Sequence, residues 1–92
     1  VHRIEDDKSR YLEKAGFTQD NPDDLEEAIY RLLASYDAVE DQSSIYGSYY
    51  RVEGELVGIG DVTLPVVTIW IVKAADEKQK YRFVTLFPGK GR

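Results

Sequence analysis

The sequence predicts an α+β domain, with two amino-terminal helices packed on a three- to four-stranded antiparallel meander sheet. Three observations carry that reading. Up to Tyr36 the apolar residues recur at helical spacing, from Ala38 they alternate with period two, and short polar turns separate the alternating runs. Ninety-two residues fit a single domain spanning 1–92.

The first helix is expected over Ile4 to Ala15, with Ile4, Lys8, Tyr11, Leu12 and Ala15 on one face. Glu5, Asp6 and Asp7 crowd its first turn, where the helix dipole favours negative charge. Gly16 stands where a left-handed cap is needed, and Phe17 folds back onto the apolar stripe. The second helix starts after Asn21, a side chain able to cap free N–H groups, with Pro22 at the first helical position. Leu25, Ala28, Ile29, Leu32, Leu33 and Tyr36 form its apolar stripe, and Asp37 ends it.

Val39 to Ile45 reads as a short polar edge strand. Ser48 to Val57 alternates, with Tyr50, Val52, Gly54 and Leu56 facing the core and Tyr49, Arg51, Glu53, Glu55 and Val57 facing away. Gly54 inside a strand predicts a bulge or a close contact. Val66 to Lys73 is rich in β-branched residues and reads as a central strand buried on both faces. Lys80 to Phe87 closes the sheet, with Tyr81, Phe83, Thr85 and Phe87 opposite Arg82, Val84 and Leu86. The expected core is Leu25, Ile29, Leu32, Leu33, Val52, Leu56, Ile69 and Phe83. Sequential strands with short connections imply antiparallel pairing.

Composition excludes several functions. With no cysteine there is no disulfide framework, no zinc-thiolate site and no cysteine nucleophile, which fits a cytoplasmic protein. The longest apolar run, Leu64 to Val72, is broken by Pro65 and Thr68 and is too short to span a bilayer, so no membrane partner is expected. Residues 1–47 hold five Lys/Arg against twelve Asp/Glu, for −7, whereas residues 48–92 hold seven against five, for +2. The helical half is acidic and the sheet half mildly basic, the reverse of the strong basic field of a typical nucleic-acid binder. The run Glu5-Asp6-Asp7 is not a metal site, because consecutive helical residues point apart. Gly58-Ile59-Gly60 lacks the third glycine of a dinucleotide fingerprint, and Gly89-Lys90-Gly91 lacks phosphate-loop spacing. No cofactor and no metal are expected.

His2 is the lone histidine, and near a terminus it reads first as a solvated side chain. Lys8 and Arg10 are able to bind an anion, but their first reading is pairing with Glu5, Asp7 and Glu13 along the helix. Tyr46, Tyr49 and Tyr50 cluster around Gly47 and read first as cross-strand packing partners, second as stacking platforms for bases.

Taken in order, His2, Lys8, Arg10, Gly16-Phe17, Tyr46-Gly47 with Tyr50, Val52 and Gly54, Thr68-Ile69-Trp70 and Val84-Thr85-Leu86-Phe87-Pro88 resemble a small bacterial domain family of unknown function. That family is in turn similar to the barnase–EndoU–colicin–RelE ribonuclease superfamily, where helices precede a four-stranded meander. The resemblance implies metal-independent RNA cleavage, in which a base removes a ribose proton, a cation stabilises the phosphorane and an acid protonates the leaving oxygen. By that resemblance His2, Lys8 and Thr85 are the candidate catalytic residues. Arg10, Tyr46, Tyr50 and Arg51 are the candidate substrate-binding residues.

The chain departs from the family pattern after the histidine, where Arg3 replaces a proline and Glu5-Asp6 replace a Gly-Arg pair. Two carboxylates repel the phosphate that a glycine-arginine pair would attract. The expectation is therefore a non-catalytic binding or interaction module with a ribonuclease-like fold. A toxin-type ribonuclease and an acidic immunity- or antitoxin-like partner protein are the alternatives. RNA or a partner protein is the expected ligand.

Overall fold

The computed structural model describes the backbone of residues 6–89 and the side chains of residues 9–89. Its architecture is α+β. Helices α1 (Asp6–Glu13) and α2 (Pro22–Ser35) precede strands β1 (Val39–Ser44), β2 (Gly47–Val57), β3 (Thr63–Lys73) and β4 (Arg82–Pro88). The strands form one sheet in the order β1-β2-β3-β4, with every pair antiparallel. A 3₁₀ turn, Ile59–Asp61, lies between β2 and β3, so helical structure is not confined to the amino-terminal part. The expected start of the first helix at Ile4 lies outside the described residues.

The end of α1 follows from Gly16. Its φ of 86° is a conformation glycine adopts without strain. With Gly16 left-handed, its N–H donates to Glu13 O at 2.9 Å and the Phe17 N–H donates to Leu12 O at 3.2 Å. This paired arrangement closes the helix and brings Phe17 back beside Leu12, both buried.

Asn21 behaves differently from the expectation. It precedes α2, and Pro22 opens the helix, but no side-chain bond caps the first turn. The Asn21 Oδ1 instead accepts from the Thr18 N–H at 2.7 Å, and its Nδ2 donates to Gly16 O at 3.0 Å. A side chain committed to the preceding turn has no acceptor left for the helix, so Asn21 locks α1 to α2 rather than capping α2.

The core joins Leu12, Ala15 and Phe17, then Ala28, Ile29 and Leu32 of α2, to Val52 and Leu56 of β2, Leu64, Val66 and Trp70 of β3 and Leu86 of β4. Thr68 is fully buried among them, and its hydroxyl solves two problems at once. It accepts from Trp70 Nε1 at 2.8 Å and donates to Val52 O at 3.1 Å. Thr68→Val, which keeps shape and removes the hydroxyl, leaves the indole N–H without an acceptor. Chemical denaturation should show a loss of about 1–3 kcal/mol; an unchanged midpoint would mean the relay contributes nothing.

Four expected core residues are only half-buried: Leu25, Leu33, Ile69 and Phe83. Leu25, Leu33 and Phe83 pack against the rim of the core. Ile69 belongs to the other face of the sheet. In β3 the burial alternates strictly, with Leu64, Val66, Thr68, Trp70 and Val72 buried and Pro65, Val67, Ile69 and Ile71 half-buried. The strand is therefore buried on one face and half-buried on the other.

The facing expected for the last strand is also corrected. A register shift between Ile69 and Trp70 pairs Trp70 with Phe83 and Ile69 with Thr85. Val84 is the extra residue of that bulge, so the period-two pattern slips there. Phe83 and buried Leu86 point to the helices, while Thr85 and Phe87 point away.

Two glycines mark close approaches. A Cβ on Gly54 would lie 2.5 Å from the Tyr36 ring, which occupies the space above β2. Gly54 pairs regularly with Val66, so the close-contact reading holds and no bulge forms there. A Cβ on Gly58 would lie 2.3 Å from Ala15 O, next to the bond in which the Ile59 N–H donates to that carbonyl at 2.7 Å. Backbone cannot yield as a ring can, so Gly58→Ala should undock the end of α1. We expect a loss of about 1–3 kcal/mol and faster hydrogen exchange at Lys14 to Phe17; unchanged exchange there would refute the contact.

On the opposite flank, the Tyr11 hydroxyl donates to Pro65 O and ties α1 to β3. Burial raises the Tyr11 pKa above the ordinary 10.0, because the ionised phenolate is poorly solvated there. The folded state therefore resists deprotonation. The stability linked to this proton is fully present below pH 10.0 and is lost as pH rises through the higher folded pKa. Ultraviolet tyrosine titration should show a late-ionising component that Tyr11→Phe removes. The same variant should lose about 0.5–1.5 kcal/mol at neutral pH.

Candidate functional site

The cross-strand register builds three rows on the sheet face turned away from the helices. They are Gln42–Tyr49–Ile71–Arg82, then Val39–Arg51–Ile69–Thr85, then Glu53–Val67–Phe87. Beyond the last row Glu55 pairs with Pro65. The middle of this face is an apolar stripe made by Val67, Ile69, Ile71 and Phe87, all half-buried and none of them part of the core cluster. Its margin on β2 is polar: Tyr49, Arg51, Glu53 and Glu55 are exposed.

The charges on this face are ordered along the strands. Arg82 and Arg51 lie toward the end where β2 begins, and Glu53 and Glu55 toward the end where it finishes. Arg51 Nε is 3.4 Å from Glu53 Oε2, and Arg82 Nη2 is 3.8 Å from Asp76 Oδ2. The Arg51–Glu53 pair is solvent-exposed and holds weakly, whereas Asp76 is largely buried and also accepts from the Lys78 and Lys80 N–H groups.

The candidate residues distribute unevenly over this frame. Thr85 and Arg51 share one row of the face turned away from the helices, separated by Ile69 and hence by two strand spacings, about 10 Å. Tyr46 is exposed in the β1–β2 turn, where its carbonyl accepts from the Ala74 N–H at 2.9 Å. Tyr50 lies on the helix side of the sheet, edge-on to Tyr81 with ring centroids 5.2 Å apart. Arg10 is exposed on the last turn of α1. Lys8 is carried by α1, but its side chain lies outside the described residues, as does the whole of His2.

A concavity lies on the helix side. A groove of about 740 Å³ opens between α1, α2 and the start of β4, floored by apolar side chains that include Leu12, Phe17 and Ile29. Glu13, Asp20, Asp23 and Glu26 line it, and Arg82, at the start of the edge strand β4 and so within reach of both sides of the sheet, is the cation among the described lining residues. Four carboxylates make this groove repel phosphate and suit a cationic or apolar ligand. Among the described residues no group of His, Cys, Asp and Glu is placed to hold a metal ion. No described helix is long and apolar enough to cross a membrane.

A family described as a domain of unknown function, DUF6883, matches residues 1–90. The chain belongs to that family. Comparison with curated proteins and with solved structures finds no match. The expectation of a domain family of unknown function holds at that level, and no activity comes with the membership. Several of the residues singled out in the sequence have structural roles in this chain. Thr68 and Trp70 form the buried relay, Gly54 admits Tyr36, and Gly16-Phe17 closes α1.

The apolar stripe was missed by sequence reasoning because its residues sit on a strand that looks apolar throughout. A signal was present. Register pairs Val67 and Ile69 with Glu53 and Arg51, and two charged residues on the neighbouring strand mark that face as solvent-facing.

Proposed function

We propose that this domain is a non-catalytic protein-interaction module working through the face of its sheet turned away from the helices. The observation that carries the reading is the stripe Val67, Ile69, Ile71 and Phe87, contiguous across β3 and β4 and left outside the core. A contiguous apolar surface with a polar margin is the pattern of a protein contact site.

Toxin-type RNA cleavage is the second reading, with His2, Lys8 and Thr85 as its catalytic groups and Arg10, Tyr46, Tyr50 and Arg51 holding substrate. Arg51 and Thr85 on one row of the sheet favour it. Against it, Tyr50 lies on the opposite face, Arg51 stands beside a carboxylate, and the wider helical surface is acidic. An acidic partner protein of immunity or antitoxin type would use the groove between the helices instead, where the carboxylates gather.

RNA decides between the first two readings. Purified domain incubated with total RNA at low salt, beside His2→Ala and Thr85→Val, should neither cleave nor retain it. Cleavage by the parent that falls by about 10²–10⁴-fold in His2→Ala, the usual contribution of a general acid or base, would overturn the interaction reading.

A further inference from the structure

We propose that the end of the sheet formed by the β1–β2 turn and the β3–β4 loop is a docking site for an anionic lipid surface. Ile45, Tyr46 and the loop lysines are not part of the stripe assigned to protein contact, so the two readings stand or fall separately.

The β1–β2 turn carries side chains that its geometry does not call for. Ser44 pairs with Gly47, so the hairpin closes over two residues, Ile45 and Tyr46. Two-residue hairpin loops favour Asn, Asp and Gly. Ile45 and Tyr46 are instead 84% and 78% exposed, the most exposed large hydrophobic residues among those described, and neither belongs to the core. Their place is fixed by the neighbouring loop. The Ala74 N–H donates to Tyr46 O at 2.9 Å, and Gly47 pairs with Lys73.

That loop presents cations on a built frame whose hub is Asp76. The Asp76 N–H donates to Lys73 O at 3.0 Å, and its carboxylate accepts from the Lys78 and Lys80 N–H groups at 3.1 and 3.3 Å. Gln79 between them is held at a φ of 52°, with its N–H and its side-chain amide both donating to Asp76 O. The backbone is thereby wound around one carboxylate. Lys73, Lys78 and Lys80 stand exposed and form no ion pair among the described residues.

This end of the sheet is positive in a chain of net charge −5. Residues 42–50 carry no charged side chain, and residues 71–82 carry Lys73, Lys78, Lys80 and Arg82 against Asp76 and Glu77, for +2. Arg82 and Asp76 face each other at 3.8 Å, which leaves three lysines and Glu77. Asp41 and Glu40 of β1 are the next carboxylates along the first hairpin, and Glu53 and Glu55 lie further back on β2. Asp41 is about 13 Å along the strand from Ile45, beyond the roughly 8 Å screening length of physiological salt. The α1–α2 connection is tied to the opposite end of the sheet, where the Ile59 N–H donates to Ala15 O at 2.7 Å and Asn21 Nδ2 donates to Gly16 O at 3.0 Å. The acidic first turn of α2 starts from there.

A protruding turn with an aliphatic and a tyrosine side chain, flanked by lysines, fits the boundary of an anionic bilayer. Ile45 suits the acyl region, the Tyr46 ring with its hydroxyl suits the headgroup level, and the negative surface attracts each lysine. An apolar span is not needed, because adsorption uses only the tip. RNA, the other polyanion, is matched less well. It takes a groove with aromatic faces for successive bases, whereas Ile45 offers no such face and the Tyr50 and Tyr81 rings are engaged edge-on with each other at 5.2 Å.

Co-sedimentation of the whole chain with vesicles of phosphatidylcholine, with and without phosphatidylserine, tests this. The parent should pellet with the anionic vesicles and not with the neutral ones, and high salt should weaken the binding. Lys73→Gln, Lys78→Gln and Lys80→Gln should each weaken it about fivefold, the contribution of one cation at an anionic surface. Ile45→Ser should weaken it about tenfold or more, through the carbons withdrawn from the bilayer. All four positions are exposed, so the variants keep the fold, which circular dichroism checks. A parent that binds neither kind of vesicle, or both equally, overturns the proposal. So does anionic-vesicle binding indifferent to Ile45→Ser, and so does RNA retained by the parent and lost in the lysine variants without any vesicle binding. Each of those outcomes leaves the protein-contact reading of the sheet face as it stands.

Discussion

Replacing Trp70 with alanine should cost about 3–5 kcal/mol, a large share of the roughly 5–15 kcal/mol that holds a small domain folded. The indole is fully buried at the centre of β3. It is edge-on to Tyr30 of α2 at 5.4 Å and to Phe83 of β4 at 5.5 Å between ring centroids. One side chain therefore connects helix, central strand and edge strand, and its truncation leaves a cavity none of the three can close alone. Removing it also frees the Thr68 hydroxyl, which loses its donor partner. Unfolding in denaturant should be followed by circular dichroism, because Trp70 is the only tryptophan. A loss below about 1.5 kcal/mol, the range of conservative core changes, would mean the ring is not the hub of the core.

The second large effect separates two residues that the sequence placed together. Leu32→Ala should cost about 2–5 kcal/mol, as for a buried leucine, because Leu32 is 3% exposed against the sheet. Ile69→Ala should cost only about 1 kcal/mol, the centre of the distribution for point changes. Both are measured by chemical denaturation. Equal losses at the two positions would mean that both faces of β3 are covered.

The contrast shows which parts of the structure were legible beforehand. α2 was readable because Ala28, Ile29 and Leu32 lie at helical spacing behind Pro22, and a helix buries a stripe that its own period defines. β2 was readable because Val52 and Leu56 alternate with charges, so its two faces declare themselves. β3 was not, since Val, Ile and Thr fill both faces and only pairing with Arg51 and Glu53 shows which one is outside. The facing of β4 failed for a different reason. The bulge at Val84 shifts the period by one residue, and nothing local in Arg82–Pro88 marks it.

The candidate site was legible only in part. Arg51 and Thr85 come from strands that are not neighbours and meet on one row through the register of β3 between them, which a linear sequence does not display. Tyr50 is one residue from Arg51 and so falls on the other face, a consequence of strand geometry alone. The motifs around Gly16, Gly54 and Trp70 drew attention as family features, and in this chain they serve helix closure, ring packing and the buried relay.

The central claim is that β3 buries one face in the core and leaves Ile69 and Ile71, on the other, outside it. Carbene footprinting of the folded protein measures this directly. Ile69 and Ile71 should label, while Leu56, fully buried in the core, stays unlabelled. Ile69 and Ile71 as silent as Leu56 would contradict the account.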